Sequence, residues 1–274
     1  MSQSVKDVNT AARKVAVVTG AGTGIGAAVA RRLAALGWDV VLGGRRLERL
    51  SEVARELESS PGRVRAVAGD VTVAADVERW IDAAGPRLDA LIHSAGVGHC
   101  LTLDELDEAE WRRTLDVAVT GAFLTAKAAL PKLRATSGGE GHVIQVGSLA
   151  SGGTWFREVG YGTAKGAQLK FALHLASQFA EDAAKGGRVI HSSAVCPGTV
   201  DTPFWERVPQ RVIEPELCLT ADEVAWVVER LILVPSSTAE ELSRIKPRPE
   251  VVVKRLAPFE KWSNVIALAH ESHP

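Results

Sequence analysis

The chain reads Val15-Ala16-Val17-Val18-Thr19-Gly20-Ala21-Gly22-Thr23-Gly24-Ile25-Gly26 near its amino terminus. The first five residues form a short continuous apolar run, which is typical of a buried parallel strand. The glycines lead into a helical stretch that continues to Leu36. Glycines between a strand and a helix let the backbone approach a pyrophosphate, which the free N–H groups and the dipole of the helix then stabilise.

The spacing of these glycines leaves two interpretations open. Gly20, Gly24 and Gly26 form the pattern G-x-x-x-G-x-G, because the last position of a G-x-G-x-x-G begun at Gly20 falls on Ile25. An isolated match of this kind marks only the entry into a helix. Its place after the first strand of a strand–helix series favours a dinucleotide site.

Candidate strands and helices alternate along most of the chain. The further strands are expected at Asp39 to Gly43, Val64 to Gly69, Asp89 to His93, His142 to Val146 and Val189 to Cys196, and the helices at Leu47 to Leu57, Ala74 to Ala84, Glu108 to Leu133 and Tyr161 to Ala184. This alternation predicts an α/β fold with a Rossmann-type, doubly wound parallel β-sheet and helices on both faces. No linker or repeat interrupts it, so we predict one dinucleotide-binding catalytic domain, residues 14–274, after a flexible N-terminal arm, residues 1–13.

The pattern changes after Cys196. The segment from Pro197 to Cys218 contains four prolines and predicts a long functional loop, with a substrate loop at residues 199–219. A helix is expected from Ala221 to Leu233, followed by a last strand at either Glu241 to Lys246 or Glu250 to Lys254. The sequence does not assign an element to the C-terminal tail, residues 257–274.

Composition excludes several classes of function. The net charge is −1, with 32 basic and 33 acidic residues, which argues against a nucleic-acid partner or an anionic membrane surface. No apolar run is long enough for a membrane span, and three scattered cysteines fit a reduced, cytoplasmic setting. The histidines show no metal-ligand spacing, so we predict no metal site and interpret the following as structural or surface residues: His93, His99, His142, His174 and His191.

The end of the second strand bears on the choice of cofactor. An acidic residue there binds the ribose hydroxyls of NAD, whereas an arginine accommodates the phosphate of NADP. The chain has Gly43-Gly44-Arg45-Arg46 and no carboxylate at this place. Arg45 offers a planar fork to a phosphate, so NADP is favoured over NAD, although both arginines would also suit a solvated helix entry.

Candidate acid–base residues lie in the second half of the chain. Tyr161 and Lys165 stand at i and i+4, so they project from one face of a helix, and Ser148 precedes the tyrosine by thirteen residues. An ammonium group beside a phenol favours the phenolate and lowers its pKa, which makes a tyrosine usable as a general acid or base. Many helices carry such a pair on a solvated face, so spacing alone does not establish a site.

Together, these motifs resemble the short-chain dehydrogenase/reductase family over residues 14 to 247. Asp70-Val71 follows the third strand as the family's adenine-contacting pair does, His93-Ser94-Ala95-Gly96 stands where the family has Asn-Asn-Ala-Gly, and Pro197-Gly198-Thr199-Val200-Asp201-Thr202 resembles the segment beside the nicotinamide. The resemblance implies Ser148, Tyr161 and Lys165 as the catalytic residues. The implied cofactor-binding residues are Gly20, Thr23, Gly24, Ile25, Gly26, Arg45, Arg46, Asp70, Val71, Ser94, Ala95, Gly96, Tyr161, Lys165, Pro197, Gly198, Val200 and Thr202.

The resemblance implies hydride transfer between a nicotinamide and the carbon of a ketone or secondary alcohol. In this mechanism Tyr161 acts as general acid or base, Lys165 lowers its pKa and binds the nicotinamide ribose, and Ser148 positions the substrate oxygen. One position departs from the family, because Ala118 stands where an asparagine anchors a relay water. We expect catalysis to survive with an altered relay.

Alternatives remain open beside this prediction. The altered Ala118 and Ser94 also suit a dinucleotide-binding regulatory protein, although such a protein has no need of all three catalytic residues, and a reshaped family member could perform dehydration, epimerisation or cyclisation. The resemblance implies a homodimer or homotetramer built on the two long helices, whose small residues would otherwise simply pack on the sheet. Aromatic and arginine residues near the site suit either a substrate lid or ordinary packing: Trp155, Phe156, Arg157, Phe204, Trp205 and Arg207.

Overall fold

The structure, a computed structural model, describes residues 12–208, 213–235, 239–244, 251–255 and 265–270. The strands are β1 Val15–Thr19, β2 Asp39–Gly44, β3 Val64–Ala68, β4 Ala90–His93, β5 Gly141–Val146, β6 Ile190–Pro197, β7 Val200–Asp201, β8 Leu219–Thr220, β9 Val251–Arg255 and β10 Val265–His270. The helices are α1 Gly24–Ala35, α2 Leu47–Glu56, α3 Ala74–Ala83, α4 Glu108–Leu115, α5 Gly121–Ala135, α6 Val159–Ala184, α7 Ala221–Leu233 and α8 Ala239–Arg244.

Eight strands form one sheet in the order β3-β2-β1-β4-β5-β6-β10-β9. Seven of them are parallel, and β9 alone runs antiparallel to its neighbour β10. The predicted doubly wound parallel sheet is therefore confirmed, with one antiparallel edge strand added. Short strands β7 and β8 pair separately. The strand order reverses between β1 and β4, which is the place where open α/β sheets bind ligands beyond the carboxyl ends of their strands.

Apolar side chains fill both faces of the sheet. One cluster joins the sheet to α1, α2 and α7, and a second joins it to α3, α5 and α6. All five residues of β1 are buried, as their unbroken apolar run predicts for a central parallel strand. The two layers of helices therefore hold the strand ends that carry the candidate site.

Three sequence predictions for the helices and the last strands need correction. The single helix expected from Glu108 to Leu133 is divided into α4 and α5 by a π-helical turn, Asp116–Thr120. The strand proposed at Glu241 to Lys246 was wrong over its described residues, which belong to α8, whereas the alternative at Glu250 to Lys254 corresponds to β9. The tail to which the sequence assigned no element contains β10, which inserts beside β6.

Some predicted segments lie partly outside the described residues. These are the N-terminal arm up to residue 11, the substrate loop at residues 209–212, and the tail at residues 257–264 and 271–274. In the described part of the loop, short 3₁₀ turns at Trp205–Arg207 and Pro215–Leu217 are the only helical pieces, as expected.

An ionic cluster secures the amino-terminal edge of the sheet. The buried carboxylate of Asp89 accepts a hydrogen bond from the backbone N–H of Val15 at 2.9 Å, and it pairs with Arg87 at 2.6 Å and Arg188 at 3.0 Å. Because a buried charge is tolerated only when it is paired and hydrogen-bonded, this set of bonds fixes the start of β1 relative to β4.

His142 lies at the same edge, buried and stacked on His191 with ring centroids 5.5 Å apart. Burial lowers the pKa of His142 to about 3, helped by the nearby positive charges of Lys14 and Arg188. The imidazole of His142 is therefore neutral in the folded protein near neutral pH.

This buried imidazole predicts a loss of stability in acid. The folded-state pKa lies below the unfolded value of about 6.5, so the unfolded chain binds the extra proton between these values and the free energy of unfolding falls as the pH falls. At about pH 5 the contribution of His142 amounts to roughly 2 kcal/mol. In urea titrations, His142→Gln should reduce the loss between neutral pH and about pH 5 by that amount. The exposed His174 provides the control His174→Gln, and equal losses in the His142 variant and the wild-type protein would contradict the prediction.

Candidate active site

A cleft of about 510 Å³ opens at the carboxyl ends of the central strands. It brings together the catalytic and cofactor-binding candidates named from the sequence, with Gly26 as the exception. A side chain at Gly26 would place its Cβ 2.5 Å from the carbonyl oxygen of Gly20. Gly26 therefore allows α1 to approach the glycine turn, and it acts through packing rather than through the cleft surface.

The glycine turn and the end of β4 are held together by one hydroxyl group. The Oγ1 atom of Thr19 accepts hydrogen bonds from the backbone N–H groups of Ser94 and Ala95, both at 3.1 Å. Gly20 has φ of +65° and lies so close to Ala95 that a Cβ would stand 2.9 Å from that backbone. This position requires glycine on both grounds.

The first turn of α1 presents unsatisfied backbone N–H groups to the cleft. Its N-cap residue, Thr23, has an extended backbone and makes no side-chain capping bond. Helix starts of this kind bind anions through their free N–H groups and the helix dipole. A phosphate group of a dinucleotide suits this end of the cleft.

Three arginines line the cleft beyond the glycine turn. Arg45 and Arg46 are exposed, and within the described chain neither makes an ion pair. Arg49, which was not anticipated from the sequence, lines the same wall and pairs with Glu52 at 3.0 Å. Gly44 leaves the end of β2 without a carboxylate, so this wall has a positive charge.

The segment after β3 forms the wall next to these arginines. Asp70 accepts hydrogen bonds from both the backbone N–H and the hydroxyl of Thr72, at 2.9 and 2.8 Å, and its own N–H donates to Asp76. Val71 is buried, and it packs so closely on Gly121 that a Cβ there would lie 2.0 Å from the Val71 Cγ2 atom. Both predicted residues are thus fixed at the cleft surface.

Ser148 begins a 3₁₀ turn directly after β5. Its Oγ atom accepts a hydrogen bond from the N–H of Ala150 at 3.2 Å, while its own N–H donates to the hydroxyl of Ser151. A hydroxyl that already accepts one bond still has its O–H to donate. The Ser148 hydroxyl can therefore donate to an oxygen atom bound in the cleft.

Tyr161 and Lys165 occupy one face of α6 and both line the cleft. The Lys165 Nζ atom lies 5.9 Å from the centre of the Tyr161 ring. Tyr161 is partly exposed, whereas Lys165 is buried at 5% exposure. Burial lowers the pKa of Lys165 to about 8, and the nearby Cys196 opposes this effect.

The floor beneath Lys165 is formed by buried polar groups. Its Nζ atom donates to the carbonyl of Val146 and to the Oε1 atom of Gln168, both at 2.9 Å. Gln168 in turn donates to Gln145 at 3.0 Å. The sequence offered a signal for Gln168 that we did not use, since Tyr161, Lys165 and Gln168 have the i, i+4, i+7 spacing of one helix face.

His93 stands at the end of β4, where the family pattern has an asparagine. It is fully buried, and its Nδ1 atom lies 3.5 Å from the hydroxyl of Thr19 and 3.3 Å from that of Thr125. Burial lowers the pKa of His93 to about 3, and the charge of Lys165 contributes. The neutral imidazole adds no positive charge beside Lys165.

Ala118 lies in the π-helical turn between α4 and α5 and is buried. Its methyl group provides no hydrogen-bonding atom at the position of the family asparagine. π-Helical turns occur frequently at functional sites because they displace backbone groups from regular helical bonding. The turn thus combines an irregular backbone with an inert side chain.

The segment from Pro197 to Thr202 closes the cleft opposite the glycine turn. The N–H of Gly198 donates to the carbonyl of Leu268 at 2.6 Å, so β10 supports this segment directly. Thr202 lies across from Gly24, where a Cβ would stand 3.1 Å from the threonine methyl group. The strand missed from the sequence is therefore part of the support of the site.

Aromatic side chains form the outer end of the cleft. The rings of Phe204 and Tyr161 lie 6.1 Å apart, and Trp205 meets Phe204 edge-on at 5.2 Å. His99, which we interpreted as structural or surface, lines this end, and burial lowers its pKa. The remaining aromatic candidate, the pair Trp155 and Phe156, is exposed and does not line the cleft.

Arg157 also lies away from the cleft lining and pairs with Glu105 at 2.7 Å. The side chain of Arg207 is outside the described part of the structure. No group of histidine, cysteine, aspartate and glutamate side chains suited to a metal ion occurs among the described residues. In the same residues, no helix has the length and apolar character needed to cross a membrane.

Comparison with known proteins agrees with this geometry. The short chain dehydrogenase family model matches residues 14–212. Cis-4-hydroxycyclohexanecarboxylate dehydrogenase of Sinomonas cyclohexanicum is 37% identical over 205 residues, which cover 73% of this chain and 79% of the relative.

Two solved structures are similar over most of their length. The alcohol dehydrogenase of Thermococcus sibiricus complexed with 5-hydroxy-NADP has a TM-score of 0.72 at 30% identity, covering 81% of this chain and 92% of that one. The 3-ketoacyl-(acyl-carrier-protein) reductase of Brucella melitensis complexed with NADH has a TM-score of 0.71 at 27% identity, covering 80% and 90%. The chain belongs to the short-chain dehydrogenase/reductase family of oxidoreductases.

Proposed function

We propose that the protein is an NADP(H)-dependent oxidoreductase that transfers a hydride between the nicotinamide and a ketone or secondary alcohol. The observation that carries this proposal is the convergence of Ser148, Tyr161 and the buried Lys165 in one cleft with the glycine turn. A hydroxyl donor, a phenol and a neighbouring cation are the groups that polarisation and protonation of a carbonyl oxygen require.

The residues present fit a dinucleotide. The glycine turn has a backbone that favours glycine, with φ of +65° at Gly20 and +55° at Gly24, and the start of α1 has no side-chain cap. The phosphates would lie against this turn, the adenine near Asp70 and Val71, and the nicotinamide beside Pro197 and Gly198. When bound, the nicotinamide supplies or accepts the hydride.

The catalytic side chains then have separate tasks. Ser148 donates its O–H to the substrate oxygen and holds the carbonyl in position. Tyr161 gives its phenolic proton to the carbonyl oxygen in reduction and takes the hydroxyl proton in oxidation. The ammonium group of Lys165 favours the phenolate that remains after reduction, because opposite charges attract strongly where water is excluded.

The positive wall supports NADP as the cofactor. Arg45 and Arg46 are exposed at the end of β2, where a carboxylate would instead bind the ribose hydroxyls of NAD. Both cofactors occur among the similar structures, which carry 5-hydroxy-NADP in one case and NADH in another. We therefore base the choice of NADP over NAD on the positive charge of the cleft wall in this chain.

The outer end of the cleft supports a substrate with an apolar body. Phe204 and Trp205 lie beside Tyr161, so an apolar group attached to the carbonyl carbon would contact their rings. The name of the Sinomonas relative identifies a substrate with a ring-borne secondary alcohol, which is compatible with such a pocket. We further propose a cytoplasmic homodimer or homotetramer that uses α5 and α6.

Arg45 should distinguish the two cofactors. In fluorescence titrations, NADPH should bind more tightly than NADH, and Arg45→Ala should weaken NADPH binding roughly tenfold by removing a charge-assisted hydrogen bond to the phosphate. NADH binding should change little. Arg55→Ala, an exposed position on α2 away from the cleft, serves as the control. Tighter binding of NADH by the wild-type protein would refute the role of Arg45.

Tyr161→Phe tests the acid–base assignment. Consumption of NADPH with a panel of ketones should fall by about 10²- to 10⁴-fold, the usual contribution of a general acid, with a far smaller change in the affinity for NADPH because the glycine turn and the arginine wall are unchanged. The cofactor titration in the same variant shows that the cleft is intact. Unchanged turnover would exclude Tyr161 as the proton donor.

Ala118→Asn tests the altered relay. If the methyl group of Ala118 weakens proton supply to Lys165, the asparagine should raise kcat with little change in KM, because proton supply follows substrate binding. Thr120→Asn, which changes an exposed residue of the same turn, serves as the control, and circular dichroism shows whether the buried Ala118 position accepts the larger side chain. An unchanged kcat in the Ala118 variant would show that this residue does not limit proton supply.

A further inference from the structure

The hydrogen-bond acceptors of Lys165 lie on its own helix and on β5. An ammonium group has three N–H donors, and two of them are directed to the Val146 carbonyl and to Gln168 Oε1. The side chains of Lys165 and Gln168 are both buried, and that of Gln168 is completely buried. Since Lys165 makes no ion pair within the described chain, these neutral oxygens are what compensates its charge there.

Lys165 sets the direction of the Gln168 amide. Lys165 can only donate, so it requires the amide oxygen of Gln168, and the NH₂ group must then face the other way. There it donates to Gln145 Oε1 at 3.0 Å. Gln145 thus accepts the bond that the NH₂ group of Gln168 has left to make.

The titratable groups described around Lys165 do not supply a negative charge that would compensate its ammonium group, so this role falls to the hydrogen bond from Lys165 to Gln168. Cys196 on β6 is buried, which raises its pKa to about 11 and keeps the thiol neutral, and His93 on β4 is neutral as well. Tyr161 lies on the same helix, and Asp116 of the π-helical turn is exposed. Ala118 in that turn contributes no acceptor from its side chain.

We propose that Gln168 is a positioning residue of the active site, whose amide oxygen holds the Lys165 ammonium group charged and in place where Ala118 offers no side-chain support. Gln145 accepts the hydrogen bond from the other end of that amide. The catalytic meaning of this arrangement rests on the proposed function. The arrangement itself is a property of the protein without substrate, so it can be tested without turnover.

Gln168→Leu keeps the size of the side chain and removes the oxygen. An NMR titration of isotope-labelled lysine side chains, with Lys165 assigned from Lys165→Arg, measures the protonation of Lys165 directly. We expect Lys165 to lose its proton at a pH lower by roughly one unit in the Leu variant, because a buried ammonium with one acceptor fewer is less stable. Gln168→Glu should move the titration to higher pH, because a carboxylate is a stronger acceptor for a cation.

Tyr161 provides a second reading, because it is the only tyrosine in the chain. Its phenolate absorbance therefore reports one residue. In Gln168→Leu the phenolate should appear at higher pH than in the wild-type protein, since the cation that favours it is lost earlier. Gln178→Leu, an exposed glutamine on the same helix, should leave both titrations unchanged.

The Leu variant decides the inference: a downward shift of the Lys165 titration supports the role of Gln168, and an unchanged or raised titration overturns it, whatever the activity. The Glu variant shows that the Lys165 titration responds to the acceptor at this position. If the Leu variant fails to fold by circular dichroism, Gln168→Met takes its place, with the same two outcomes. Failure of the wild-type protein to reduce any ketone with NADPH refutes the proposed function and leaves these titrations valid.

Discussion

The buried ammonium group of Lys165 is the constraint on which the catalytic end of the cleft depends. A cation removed from water costs several kcal/mol unless oxygen atoms replace its hydration. The last carbonyl of β5, at Val146, supplies one such oxygen, and α6 supplies another. The same burial keeps Cys196 and His93 neutral, so neither a thiolate nor a second cation alters the charge beside Lys165. The phenol ring of Tyr161 lies next to this charge, with its centre 5.9 Å from the Lys165 Nζ atom.

The sheet fixes where this charge lies relative to the glycine turn. The turn continues β1, and the Thr19 hydroxyl at the end of β1 accepts hydrogen bonds from the two residues that follow β4. On the other side, β10 supports Gly198 through the Leu268 carbonyl. Groups held by strand ends and backbone bonds keep their distances more closely than groups on free loops. The outer end of the cleft, by contrast, is formed by Phe204 and Trp205 of the segment after β7, which lies outside the eight-stranded sheet.

The central strands were predictable because each is short, mainly apolar and bounded by turn residues, and β1 is an unbroken apolar run. The π-helical division at Asp116–Thr120 could not be predicted, because the helical sequence pattern continues through it. The turn lies next to Gly121, which packs against Val71, and this is a tertiary contact that local sequence does not specify. For β10 the sequence contained an apolar run, but its pairing with β6 joins segments about 70 residues apart, beyond what local patterns specify. Leu242, fully buried in α8, fits a helix face as well as a strand. The motif residues of the site could be predicted from the sequence. Gln168, in contrast, was identified only from its contact with Lys165.

Charge is used differently at the two ends of the cleft. Arg45 and Arg46 are exposed, so water and salt screen them and they suit attraction of a phosphate. Lys165 is buried and acts at short range on one group. The support of Lys165 by Gln168 has a further consequence for proton transfer. An amide oxygen accepts a hydrogen bond but has no proton to pass on, unlike a water molecule. If Gln168 holds Lys165 in this way, two of the three N–H groups of Lys165 are directed to acceptors that cannot supply a proton, and only the third is left for a path through Lys165 to Tyr161.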